Sequence, residues 1–246
     1  MGFMEPITEL FKLIKELLLL VFARQKLNQQ RKLYLERCLQ HTEHLGKDWL
    51  ADVDGGQTQL PLDAAFVLVN LLDSQGGEVT VREVLSQQRC IVLQGPPGAG
   101  KSTLVRYITR VMARSLLIGE DATLAERRLA VKAIFPVQVE LKSYEHPKKL
   151  VEMALDKTEN PLTSEQLTQL TRHGAMFLLD GLDEVPPSQY RRLIEQIDLL
   201  VKNHPEFRVI VTTRSTTYRV KDLASSGFIA YQLQSLNQRQ QDLLIN

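Results

Sequence analysis

Cys90-Ile91-Val92-Leu93-Gln94-Gly95-Pro96-Pro97-Gly98-Ala99-Gly100-Lys101-Ser102-Thr103 is the stretch that decides how the rest of the chain reads. An apolar run of strand character stops at Gln94, a glycine-rich loop follows, and helix-forming residues continue from Lys101 to Ile118. The loop matches G-x-x-x-x-G-K-[ST], and a strand before it with a helix after it is the context that pattern requires. Small residues let the backbone wrap a phosphate with successive N–H groups pointing inward, and the helix N-terminus adds partial positive charge. Gly95, Pro96, Pro97, Gly98, Ala99, Gly100, Lys101, Ser102 and Thr103 are therefore expected to hold the phosphates of a nucleotide. In that arrangement Lys101 reaches the β/γ-phosphates, the Ser102 hydroxyl ligates Mg²⁺, and Thr103 faces the α-phosphate.

Outward from this loop the chain alternates strand and helix. Strands are expected at Phe135–Leu141, Met176–Leu179, Arg208–Thr212 and Phe228–Leu233, with helices at Val81–Gln88 and Leu124–Lys132. Thr163-Ser164-Glu165-Gln166 offers a capping box to a helix that stops at Gly174, and Ser188 is a candidate cap for a helix ending near His204-Pro205. Such alternation implies an α/β fold, a parallel five-stranded sheet flanked by helices, with ligands at the carboxyl ends of the strands. Asp52 to Thr58 reads as a turn or surface loop, and Asp73-Ser74-Gln75-Gly76-Gly77 as a linker. The apolar run Ala64 to Leu72 before that linker fits either a buried strand or a core helix.

Two further strand ends carry chemistry. Met176-Phe177-Leu178-Leu179-Asp180-Gly181-Leu182-Asp183-Glu184 is an apolar strand that finishes in three carboxylates. Asp180 is placed to hold Mg²⁺, as the second metal anchor of phosphate-loop enzymes does. Either Asp183 or Glu184 can orient an attacking water, with Glu184 favoured, because a carboxylate near Mg²⁺ and a triphosphate stays ionised. Arg208-Val209-Ile210-Val211-Thr212-Thr213-Arg214-Ser215 is the third piece, and Arg214 can bind a γ-phosphate oxygen and so report whether the nucleotide is a tri- or diphosphate.

The set GPPGAGKST, FLLDGLDEVP and VIVTTRS resembles the NACHT family of signal-transduction NTPases, within the STAND class of AAA+-like phosphate-loop proteins. Gly181 is the discriminating residue: NACHT sequences place a small residue directly after the metal-binding Asp and carry the acidic pair downstream. Phe135–Leu141 looks like the family's second strand, Tyr231–Leu236 like its fifth strand and exit, and Leu60–Val67 like the segment that precedes the nucleotide domain. The resemblance implies ATP or GTP with Mg²⁺ and an ADP-held inactive state. It also implies exchange to ATP when an unknown protein or pathogen ligand is sensed, then self-oligomerisation in innate immune or antiphage-type signalling. The expected division is an N-terminal helical region with linker over 1–59 and the nucleotide-binding domain over 60–246, ending before or at the start of a helical or winged-helix region. Rival readings are a conventional ATPase acting on a macromolecule and a nucleotide-binding interaction module with little turnover.

Composition narrows the function classes. The 246 residues carry 30 Lys+Arg against 29 Asp+Glu, a formal charge of +1, which supplies no monopole for gathering nucleic acid or anionic membrane. Arg127-Arg128, Lys148-Lys149 and Arg191-Arg192 read as solvated helix faces rather than a nucleic-acid footprint. The 2 cysteines, Cys38 and Cys90, lie far apart without a C-x-x-C partner, which excludes a disulfide scaffold or cysteine zinc site and fits a reducing, cytoplasmic setting. His41-x-x-His44 lacks a third metal ligand nearby, and no N/T-K-x-D guanine-reading motif occurs. From Pro6 to Leu45 the sequence is helix-forming, reading as one or two helices ended by Gly46. Within them Leu17 to Ala23 is the most apolar stretch, about a third of the ~20 residues that a membrane span needs, so burial against partners is expected rather than crossing.

Overall fold

The strands around the glycine loop are near-continuous apolar runs, and their period-two alternation sorts them onto two buried faces. In a computed structural model of the chain, described for residues 4–43, 50–53, 56–59, 62, 69–117, 124–146, 149–155, 161–214 and 217–234, the elements run in this order. Helix α1 is Met4–His41, β1 Leu50–Val53, β2 Gly56–Gln59, β3 Asn70–Leu72, β4 Glu78–Thr80, α2 Val81–Gln87 and β5 Cys90–Gln94. There follow α3 Lys101–Leu117, α4 Leu124–Leu129, β6 Phe135–Glu140, α5 Leu150–Leu155, α6 Ser164–Thr171 and β7 Ala175–Asp180. The described chain finishes with α7 Pro187–Asn203, β8 Arg208–Thr213, α8 Thr217–Ala224 and β9 Ile229–Leu233.

The main sheet has seven strands in the order β4-β3-β9-β5-β8-β7-β6. The five from β9 to β6 are mutually parallel and are the five strands expected from sequence. The other two, β3 and β4, form an antiparallel hairpin that extends the β9 edge, Leu71 pairing with Leu233. So the supposed linker Asp73–Gly77 is a hairpin turn, in which the Asp73 carboxylate accepts from the backbone of Gln75 at 2.9 Å and of Gly77 at 2.8 Å. One sheet face, with Val92, Val137, Phe177 and Val211, packs on Leu193 and Ile197 of α7 and Leu167 of α6; the other, with Ile91, Leu93, Leu178 and Ile210, packs on Leu104, Ile108 and Met112 of α3.

Several local expectations change. Within the supposed loop over Asp52–Thr58, the described residues Asp52, Val53 and Gly56–Thr58 belong to a separate two-stranded antiparallel sheet, Val53 pairing with Gly56. Helix α4 stops at Leu129, and Ala130 takes a positive φ of 55°. Thr163 caps α6 with the full box, whereas Ser188 caps nothing: α7 begins with Pro186 as its cap and Pro187 in the first turn, where a ring costs no hydrogen bond. The N-terminal segment is a single helix over its described part. Leu45, Gly46, His44, Asp54-Gly55, most of Leu60–Val67, Ile118 and the residues from Ser235 onward lie outside the described residues.

Candidate functional site

β5 delivers the glycine loop to the C-terminal edge of the sheet and α3 carries it away. Gly98 and Gly100 take φ of 76° and 90°, the left-handed region in which a side chain is strained, and α3 starts with the Leu104 N–H on the Gly100 carbonyl at 2.8 Å. The base of the loop is anchored to the neighbouring strand by the Gly95 N–H on the Thr213 carbonyl at 3.3 Å. Lys101 folds back over the loop and donates to the carbonyls of Gly95 at 2.7 Å and Pro96 at 3.0 Å. Ser102 is exposed and Thr103 half-buried at the start of α3.

β7 and β8 bring the other two pieces to the same edge. Asp180 ends β7 and accepts from the Thr212 hydroxyl, whose oxygen in turn accepts from the Gly181 N–H at 2.9 Å. Gly181, at φ 86° and ψ 48°, turns the chain into a short 3-10 turn over Leu182–Glu184 that is pinned by the fully buried Leu182. That turn presents Asp183 to β8: its carboxylate accepts the Arg214 backbone N–H at 2.9 Å and pairs with Arg214 Nε at 2.8 Å. Glu184 lies exposed beside Gly181.

The electrostatics register this convergence. Burial lowers the Lys101 ammonium from its usual value, Asp183, Asp180 and Glu184 oppose that lowering, and Arg214 adds to it. The sequence-predicted Lys101, Asp180, Asp183, Glu184 and Arg214 are thus brought within mutual influence. Four more participants escaped sequence reading. Thr212 bridges Asp180 and Gly181, and a threonine inside a β-branched run carries no signal beyond strand propensity. Glu140 ends β6 in register with Asp180, and Lys142 pairs with it at 3.2 Å; contact with Glu140, then the charges of Glu184 and Asp180, raise the Lys142 ammonium. Thr213 is fully buried beside Gln94, and its hydroxyl has no hydrogen-bond partner among the described residues.

No three His, Cys, Asp or Glu side chains among the described residues gather into a metal cage. The residues that stand at the loop and strand tip, a hydroxyl at 102 and a carboxylate at 180, are oxygen donors, the chemistry that a hard cation shared with phosphates takes.

No curated protein matches the chain. Among solved structures it is similar to the crystal structure of Saccharomyces cerevisiae RIF2, at 12% identity and a TM-score of 0.37 over 67% of this chain and 57% of that one, too low a similarity to bear on function. The family model of the NACHT domain matches residues 89–246, which include the loop and all the strand tips just described. That match spans well over half of the sequence, and the chain belongs to the NACHT family, whose domain is a nucleotide-binding P-loop NTPase.

Proposed function

We propose that the chain is a slow, Mg²⁺-dependent ATPase, with GTP as the alternative nucleotide, that works as a nucleotide-controlled oligomerisation switch in defence-type signalling. The observation that carries this reading is the gathering of Asp180, Asp183, Glu184 and Arg214 around the Lys101 ammonium. Lys101 is held by two carbonyls that can release it, so an arriving β/γ-phosphate replaces weak neutral acceptors with charged ones. Ser102 and Asp180 are the residues that would hold Mg²⁺, which when bound neutralises charge on the phosphate oxygens. With both Asp183 oxygens engaged by Arg214, Glu184 is the carboxylate left to orient water. Arg214, aimed by Asp183, is the group that distinguishes tri- from diphosphate, and that difference supplies the bias between two arrangements.

Residues 60–246 form the nucleotide-binding unit in this proposal, and 1–59 are the N-terminal extension. The test is calorimetry with ATP, ADP and GTP on the full chain and on Lys101→Ala. Loss of measurable ATP binding in the variant, with an unchanged circular dichroism spectrum, supports the assignment, and unaltered affinity removes it. Sedimentation with ATP and with ADP then tests the switch, and ATP binding without turnover or assembly would favour a plain nucleotide-binding module.

A further inference from the structure

Helix α1 has two unlike halves. Its C-terminal part is bolted to the nucleotide domain: Tyr34 and Leu35 are buried, the Tyr34 ring stacks on Phe135 with centroids 4.9 Å apart, and its hydroxyl donates to the Pro136 carbonyl at 2.9 Å. Two arginines of α3, the helix that starts at the glycine loop, cap its end. Arg110 donates to the Leu39 carbonyl at 3.0 Å, which also accepts from Thr42, and Arg106 to the His41 carbonyl at 2.8 Å, an acceptor of the last turn. The other half projects. Every one of the eight large apolar side chains from Leu13 to Phe22 is 43 to 67% exposed.

Three magnitudes identify what covers them. At about 100° per residue these eight positions span roughly 260° of the helix circumference, whereas a helix lying on one neighbour buries a stripe of about 100°. Their combined exposed surface is on the order of 800 Å², the amount that each partner contributes to a stable protein interface and more than monomers usually leave open. Ten residues of helix rise only ~15 Å, half of a bilayer core of ~30 Å, and no described helix is long and apolar enough to cross a membrane. A helix lying in a membrane surface keeps a broad charged face toward water, which an arc this wide does not leave. The flanking charges are of both signs, Lys15 and Glu16 at one end and Arg24 and Lys26 at the other, so that Glu16 of one copy meets Arg24 of an antiparallel neighbour about Leu20.

We infer that residues 13–22 of α1 are an assembly surface for further copies of this chain, which pack as a bundle of three or more α1 helices. The inference rests on the self-association part of the function proposed above and is independent of nucleotide hydrolysis. Because α1 is tied to α3 by Arg106 and Arg110 at its C-terminal end, antiparallel packing sets the nucleotide domains of neighbouring copies at opposite ends of the bundle.

The test is sedimentation velocity of the full chain with ATP and Mg²⁺ over a wide concentration range. The wild type is compared with Leu17→Glu/Leu20→Glu and with Leu199→Glu, which alters an exposed leucine of α7. The expected result is a trimer or larger for the wild type and for Leu199→Glu, and a monomer for the α1 variant, which keeps its ATP affinity. Assembly of the α1 variant like the wild type overturns the surface while leaving the switch reading intact. A wild type that stays monomeric overturns both. Pelleting of a monomeric wild type with phosphatidylserine vesicles, lost in the α1 variant, overturns the inference in favour of a membrane as the occupant.

Discussion

At Gly181 the carboxylate cluster takes its shape from one backbone conformation. The φ of 86° is reserved for glycine in practice, whereas a Cβ there would meet Glu184 Cδ only at an ordinary contact distance of 3.4 Å. Gly181→Ala is expected to cost about 1–2 kcal/mol in a urea melt and to slow turnover by straining the turn that carries Glu184. A variant as stable as the wild type would mean that the turn relaxes freely. Asp183 and Glu184 separate by the same geometry. Glu184→Gln should retain ATP and lose most of its hydrolysis, whereas Asp183→Asn should mainly weaken the preference for ATP over ADP, by roughly tenfold if one charge-assisted contact of Arg214 is lost. Its cost to stability should stay below about 1 kcal/mol, since the Arg214 side chain is 54% exposed. Turnover that survives Glu184→Gln and stops in Asp183→Asn reverses the two roles. Lys101 and Ser102 were singled out in the sequence by the spacing of the glycine loop, and Asp180 by its place at the end of an apolar strand. The Asp183–Arg214 pair was not: the partners lie 31 residues apart, and only the register of β7 against β8 brings them together.

The capping box of α6 was read correctly from its own residues, the start of α7 was not, and the short strands that depend on a distant partner were missed. Thr163 and Gln166 satisfy each other's backbone N–H groups at the start of α6 as expected, and the structure shows Thr80 and Glu83 doing the same at α2. β3 and β4 have only three residues each, too few for periodicity to register, and they become strands because β9 offers an open edge. Likewise β1 and β2 are defined by each other across Asp54-Gly55 rather than by strongly apolar residues. Thr80→Ala and Thr163→Ala should each cost about 1 kcal/mol, seen as a fall of roughly 2–4 °C in the melting midpoint for a chain of this size. Ser188→Ala should leave the midpoint unchanged, since the start of α7 is set by Pro186 and Pro187. A loss at Ser188 equal to that at Thr163 would contradict the observed cap.

For the molecule as a whole, the order of strands was the least legible feature from the residues alone. Strand–helix alternation implied a parallel sheet, but apolar runs say only that strands are buried and not which neighbour each takes. What the complete fold adds is a set of carboxylates whose ionisation is coupled to its integrity. Glu83 is held below the usual carboxylate range chiefly by the Thr80 backbone N–H, Asp198 by Lys202 and then Ser226, and Glu206 by its own backbone N–H with His204 assisting. Asp198 matters most for the assembly of elements, because it accepts from Lys202 within α7 and from Ser226 beyond α8, each at 2.7 Å. A carboxylate whose folded pKa lies below its unfolded one contributes its stabilisation fully above the unfolded value, about 4, and loses it as the pH falls through the folded value. The melting midpoint should therefore hold level down to about pH 5 and fall steeply towards pH 3. A Glu83→Gln/Asp198→Asn/Glu206→Gln variant should start lower at neutral pH and fall less steeply, so that the two curves converge in acid. Parallel curves would mean that these three groups titrate alike in the folded and unfolded chain.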